Sequence, residues 1–409
     1  MRIEIPPHAA AVIRALTELG YEAYVVGGCV RDSLMGREPN DWDVTTSAKP
    51  EEVMLLFGAL RGFKPYPTGI AHGTVMVLSK GQPVEVTTFR IDGEYTDGRR
   101  PDSVDFTDSL EEDLARRDFT VNAMAYSHKR GLCDPYGGEA DLAAKVIRCV
   151  GDPTRRFSED ALRIMRAVRF SSVLGFSVDD DTAEAAIGLR GSLANISKER
   201  IHTELEKLLC GMNAPAVIER FYPIFCEILP PLAKWHPSEV RAALGRLAGE
   251  EMPLMLAALL SGDCDAETLL RDLRFPKRTI GRTVQILAHC KTPLPDKPAI
   301  RHLCRNIGID GARDVIRYGI ACGTADEQAM QNLDEIAEAG DCLSLSALRI
   351  NGRILQSLGV PKRQIGTVLE RLLCRVMADE VQNRTAELKR AVKDELKGLK
   401  QSNEGSTAL

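Results

Sequence analysis

Apolar residues recur at helical spacing between positions 7 and 19, with Val12, Ile13, Leu16 and Leu19 on one face. The pattern stops at Gly20, which predicts an amphipathic helix closed by a glycine. A short β-branched and aromatic run, Tyr24-Val25-Val26, then predicts a strand ending at Gly27-Gly28. Positions 29–35 read as a helix, and turns at Gly36 and Pro39-Asn40 lead into a second strand that opens with Asp41 and Asp43. Positions 47–52 carry the signature of a helix start, with a helix expected over 53–60. Alternating segments at 74–78 and 84–89 flank Lys80-Gly81-Gln82-Pro83 and predict an antiparallel hairpin. Residues 90–103 are polar and aperiodic, the pattern of a mobile surface loop. A helix is expected to start at Ser109 and to continue through 116–125, a segment dense in functional side chains. Positions 132–138 close this α+β portion.

From about Arg155 onward the period is helical and strands are no longer expected, so this half reads as all-α, with breaks at the proline-rich stretches 229–237 and 293–298. The 409 residues, 44% of them hydrophobic, exceed one ordinary domain and supply cores for several. No apolar run of 18 or more residues and no charged-then-apolar leader is present, so neither membrane attachment nor export is expected. The eleven cysteines form no C-x-x-C pair and read as reduced, mostly buried thiols of a cytoplasmic protein. A net charge of −5 argues against a surface that coats nucleic acid everywhere. It leaves room for local basic tracks: Arg99-Arg100, Arg116-Arg117, Arg155-Arg156, and Arg163 with Arg166 and Arg169.

Two constellations carry chemistry. Residues two apart on a strand share a face, so Asp41 and Asp43 would aim both carboxylates at one spot, where they repel unless a cation joins them. Paired carboxylates can hold two divalent ions about 3.5–4 Å apart for displacement at phosphorus. Oxygen ligands and substrate phosphates together favour Mg²⁺. Glu85, on the neighbouring predicted strand, is a candidate third carboxylate or an exposed alternate residue. Gly27-Gly28 between strand and helix lets backbone N–H groups approach a phosphate, with Arg31 one turn inside.

The second constellation is S-E-D-A-L-R-I-M-R-A-V-R-F at 158–170, read as a helix capped by Ser158 with Asp160 and Arg163 projecting together at i and i+3. Cytosine and adenine both present an amino donor beside a ring-nitrogen acceptor. A carboxylate and a guanidinium placed side by side fit both bases and refuse uracil and guanine. Arg166 and Arg169 would reach a triphosphate or hold Asp160.

The ordered set G-G-C-V-R-D, D-W-D, V-E-V-T-T-F-R with D-G-E-Y-T-D-G-R-R-P, R-R-D-F-T-V-N-A-M-A, D-P-Y-G-G and E-D-A-L-R-I-M-R-A-V-R-F resembles the class II tRNA nucleotidyltransferase and bacterial poly(A) polymerase family, from Gly20 to about Leu209. The resemblance implies a polymerase-β-like head with a mixed sheet at 1–150, then a helical neck at 151–210, body at 211–295 and tail at 296–409; the residues of 402–409 themselves read as a disordered end. It implies addition of C-C-A to the 3′ end of tRNA from CTP and ATP, with Asp41 and Asp43 as metal ligands. Gly28, Arg31 and Arg117 would contact the nucleotide, and Asp160 and Arg163, joined by Arg166 and Arg169, would select the base. Asp118 and Asn122 would lie near the ribose or support the site. Residues 92–101 match a flexible element tied to terminal A addition; the rivals are an A-adding or poly(A)-adding enzyme of the same family and, from a different class, a non-catalytic RNA-binding relative. No protein partner is expected. Beyond Leu209 the match is loose, so residues that touch tRNA are not named there.

Overall fold

The computed structural model describes residues 3–93, 103–260 and 265–404. In chain order it begins with α1 (Pro7–Glu18), β1 (Ala23–Val26), α2 (Gly28–Leu34), β2 (Asp43–Thr46), α3 (Pro50–Ala59), β3 (Phe63–Gly69), β4 (Thr74–Ser79) and β5 (Gln82–Thr88). It continues with β6 (Arg90–Asp92), β7 (Val104–Phe106), α4 (Leu110–Ala115), β8 (Ala125–Ser127), β9 (Gly131–Cys133), α5 (Gly138–Ala144) and β10 (Val146–Ile147). Next come α6 (Pro153–Glu159), α7 (Leu162–Leu174), β11 (Ser177–Val178), α8 (Asp180–Gly188) and α9 (Lys198–Leu209). Helices alone follow: α10 (Ala214–Arg220), α11 (Tyr222–Ile228), α12 (Pro237–Arg246), α13 (Met252–Leu259), α14 (Ala266–Asp272), α15 (Lys277–His289), α16 (Lys297–Cys322), α17 (Glu327–Ala339), α18 (Gly352–Ser357), α19 (Ile365–Met377) and α20 (Thr385–Glu404).

Packing divides the chain into two compact units, Met1–Arg241 with Asp272–Arg274, and Ala242–Arg271 with Phe275–Leu409. The first holds a seven-stranded sheet in the order β3-β4-β5-β2-β1-β8-β9. All neighbours pair antiparallel except β2 and β5, which run parallel. Alternation along the strands builds two cores. Val25, Val44 and Val86 face one side with Val12, Leu16 and Phe57 of α1 and α3. Tyr24, Val26 and Ala125 face the other with Leu110 and Leu114 of α4. The strand register puts Thr45 beside Tyr24 and Thr87, so Asp43 and Glu85 belong to this second face. In the second unit, one apolar cluster packs α16 against α17, and another gathers Leu355, Leu372, Leu373 and Leu388 from α18, α19 and α20.

Several sequence expectations are corrected. The second strand begins at Asp43, so Asp41 precedes it rather than opening it. β3 escaped the pattern because Pro65 and Pro67 break its alternation. It survives as an edge strand, where a missing N–H costs no ladder bond. Lys80 and Gly81 both take positive φ, 51° and 79°, which makes a tight two-residue turn and starts β5 at Gln82. The segment expected as one loop over 90–103 is framed by the ribbon β6–β7, and its middle, with Arg99-Arg100, lies outside the described residues.

The helix from Ser109 ends at Ala115, and the segment after it closes with a 3-10 turn at Thr120–Asn122. In the helical portion β11 pairs parallel with β10, a short strand the period did not show. Helix α20 runs to Glu404, so 402–404 are helical, and 405–409 lie outside the described residues. Among the described cysteines only Cys29, Cys149 and Cys304 are buried, fewer than composition suggested, and all are free thiols. No described helix is long and apolar enough to cross a membrane.

Candidate active site

Asp43 lies directly opposite Glu85 in the parallel pair β2–β5, so the two side chains stand next to each other on one face. Trp42 turns into the core beside them, and Asp41 precedes it. Asp43 keeps exposed surface, yet its carboxyl is pushed up to about 6. Desolvation in the crevice is the first cause, and the charges of Glu85 and Asp41 add to it while Arg117 pulls the other way. Among the described residues no group of three or more His, Cys, Asp and Glu side chains is placed to hold a metal ion. The chemistry of the donors suits a divalent cation: all are carboxylate oxygens, and Asp43 feels the negative charge of Glu85 and Asp41, with Arg117 opposing it.

Across from the carboxylates, Gly27 adopts φ 78° and ψ −127°, a backbone open only to glycine. Its N–H donates to the Met124 carbonyl at 3.0 Å, anchoring the turn to β8's approach. A Cβ there would sit 2.9 Å from Nη1 of Arg117, whereas one on Gly28 meets only Arg31 Nη2 at 3.7 Å. The sequence singled out Gly28, and the structure makes Gly27 the position that admits Arg117. The Arg117 Nε is buried with no hydrogen-bond partner, so a donor remains for a ligand oxygen.

Behind Arg117 lies Asp113, fully buried and unremarked in the sequence. Its Oδ1 accepts from Arg116 Nε at 2.9 Å and Nη2 at 2.7 Å, and its Oδ2 accepts from Thr45 Oγ1 at 3.1 Å and Arg117 Nη2 at 3.5 Å. Burial alone would raise this carboxyl, but the two guanidiniums outweigh it and hold it low.

Arg31 and the motif after Arg117 form one buried network. Arg31 Nη1 donates to Asn122 Oδ1 at 2.6 Å, and Asn122 Nδ2 donates to Asp118 Oδ1 at 3.2 Å. Asp118 Oδ2 accepts from Arg166 Nε at 2.7 Å. Burial opposes ionisation of Asp118, and Arg166 with the Asn122 amide reverses this to leave it at about 2. Arg169 donates to Glu204 Oε2 at 2.7 Å, with its guanidinium 3.6 Å from the centre of the Phe170 ring, and Arg31 and Arg166 approach the same ring at 5.1 and 5.3 Å. Arg166 therefore ties α7 to the segment at Asp118, and Arg169 ties it to α9. The sequence named them, but it gave no sign of Glu204 as their partner.

The expected pairing of Asp160 with Arg163 on one helix is corrected. Asp152, not Ser158, caps the first helix, and Ser158 lies inside α6 with its hydroxyl donating to Thr154 O at 2.8 Å. Asp160 is extended at φ −142° and ψ 103°, in the break between α6 and α7, and its Oδ1 accepts from Leu162 N at 3.0 Å. Its carboxylate is bridged by Arg200 of α9 at 2.8 Å. Arg163 donates to Glu159 Oε2 at 2.6 Å and to the carbonyls of Arg156 and Arg116 at 3.1 Å each. Both side chains thus flank one helix break, each with its own counter-ion, and the run E-D-A-L-R read as continuous helix because nothing in its period announces that break.

A family model described as "Poly A polymerase head domain" matches residues 23–148, and one described as "Probable RNA and SrmB- binding site of polymerase A" matches residues 175–222. The first unit therefore contains a nucleotidyltransferase head of the poly(A) polymerase kind. The chain is similar to the CCA-adding enzyme of Geobacillus kaustophilus, 38% identical over 402 residues that cover 92% of this chain and 95% of that one. It is 45% identical over 293 residues to that of Geobacillus thermodenitrificans, covering 69% of this chain and 70% of the other. The crystal structure of the Bacillus stearothermophilus CCA-adding enzyme in complex with CTP superposes with a TM-score of 0.74 at 32% identity, covering 97% of this chain and 100% of that one. The chain belongs to the CCA-adding enzyme family, and its mixed-sheet head followed by helices is the fold that resemblance implied.

Proposed function

We propose that this protein adds C, C and A to the 3′ end of tRNA, using CTP and ATP and releasing pyrophosphate. The observation that carries this reading is the likeness to a CCA-adding enzyme along nearly the whole chain. The site geometry supports it, since carboxylates, an unsatisfied arginine donor and a charged helix break all occur in the first unit. Asp41 and Asp43, with Glu85 beside them, would hold Mg²⁺, which when bound supplies positive charge for the attacking 3′-oxygen and the departing pyrophosphate. Arg117 steadies the triphosphate through its free Nε donor, and Arg31 with the first turn of α2 at Gly28 lines the same approach. Arg166 fixes α7 to the segment at Asp118, and Arg169 fixes it to α9. Asp160 accepts from the amino group of cytosine or adenine and Arg163 donates to the adjacent ring nitrogen, with Arg200 and Glu159 holding them before a base arrives.

We read 1–150 as head, 151–210 as neck, 211–295 as body and 296–409 as the tail that grips tRNA, and we read the protein as cytoplasmic. Incubation with tRNA lacking its C-C-A end tests the function. CTP alone should give two CMP additions, and ATP should then add a single AMP. No incorporation from CTP would overturn the reading.

A further inference from the structure

We propose that Asp113 is a positioning residue for nucleotidyl transfer, holding Arg117 at the catalytic strand without satisfying it. The inference rests on the reading of Arg117 as a triphosphate contact. Asp113 is fully buried, and its oxygens accept only from groups that matter to the site. Thr45, one of its donors, sits on β2 two residues from Asp43 and on the same face. Arg116 makes the short two-pronged contact at 2.9 and 2.7 Å. Arg117 is left with one long contact at 3.5 Å.

One carboxylate therefore faces two guanidiniums, and the closer one is served first. Arg117 is oriented by what remains, keeping an unpartnered Nε and a positive charge that is felt at Asp43. A full bidentate partner on Arg117 would neutralise the charge that a triphosphate needs, and no partner would leave the side chain free to swing. The same hub reaches further. The Arg116 guanidinium lies 3.8 Å from Asp92 on β6, and the Arg116 carbonyl accepts from Arg163 at 3.1 Å. Asp113 thus joins the strand of the carboxylates to the arginine read as the base selector.

The test is a double-mutant cycle read by CMP addition to tRNA, with kcat and KM for CTP measured separately. Asp113→Asn keeps the shape and removes the charge, and we expect kcat to fall about 10–100-fold with KM for CTP within about threefold, as for a misplaced group. In an Arg117→Ala background the same change should cost less than about threefold more, because the two act as one unit. Losses that multiply would overturn the proposal, as would a change confined to KM. Thr45→Val provides a gentler arm should Asp113→Asn fold poorly, and an unchanged kcat there with intact melting would also count against it. Phenylglyoxal labelling of Arg117, followed by mass spectrometry, reads placement without activity. Labelling should quicken several-fold in Asp113→Asn, and an unchanged rate contradicts the proposal. A wild-type protein that adds no CMP would instead sink the function reading, with the labelling arm still deciding the role of Asp113.

Discussion

Asp43 and Glu85 face each other across the only parallel step of the sheet, with Asp41 just before the strand. Asp41→Ala or Asp43→Ala should each lower CMP addition by on the order of 10²–10³-fold or more, since each removes charge aimed at the reacting phosphate. Glu85→Gln should cost about tenfold, which identifies it as a neighbour that tunes Asp43. Chelation of divalent metal should abolish activity, and Mg²⁺ should restore it. Full activity in the Asp41→Ala, Asp43→Ala double variant would remove the site from this face.

Gly27 and Gly28 are adjacent but not equivalent. Gly27→Ala forces a side chain into a glycine-only conformation and against Arg117 Nη1, so it should destabilise the fold by about 1–3 kcal/mol and depress kcat. Gly28→Ala meets only ordinary contact distance at the start of α2 and should leave melting within about 0.5 kcal/mol of the native value. Equal destabilisation by both would contradict the assignment.

The Asp118–Arg166 bond predicts a pH dependence of stability. Asp118 falls from an ordinary 3.8 to about 2 in the folded protein, so its contribution is fully present above 3.8 and is lost as pH drops toward 2. Stability should therefore be insensitive to this pair between pH 6 and 8, to a first approximation, and should decline through the acid window in denaturant titrations. Asp118→Asn removes the charge partner of the half-buried Arg166 guanidinium and should cost about 1–3 kcal/mol at neutral pH, with the acid slope reduced. An unchanged acid slope in that variant would contradict the assignment.

Arg163 and Asp160 hold separate counter-ions at the helix break. Arg163→Ala should raise incorporation of UMP and GMP relative to CMP by about tenfold or more while leaving the metal requirement intact. Unchanged exclusion of UTP and GTP would assign base selection elsewhere.

Much of this site is legible in the sequence because its ligands sit where period and punctuation coincide. The β1–glycine–α2 segment and the carboxylates near β2 follow from strand alternation and turn residues, and the six motifs in order gave the family. What was not legible depended on tertiary partners. Asp113 looks like one more acid in the first turn of a helix, and only burial against Thr45 and two arginines makes it a hub. Arg200 and Glu204 lie 40 and 35 residues beyond the side chains they hold. The interruption at Asp160 has no glycine or proline to mark it, so the local pattern started a helix at Ser158 and ran it through the break. β3 was missed because its prolines interrupt the strand alternation, although an edge strand tolerates them.

The most direct measurement is the 3′ sequence of product formed when tRNA lacking its last three nucleotides is incubated with the protein, Mg²⁺ and all four nucleoside triphosphates together. The product is expected to end in C-C-A and to grow no further. Product ending in a run of A with no C, or carrying U or G at any of the three positions, would contradict it.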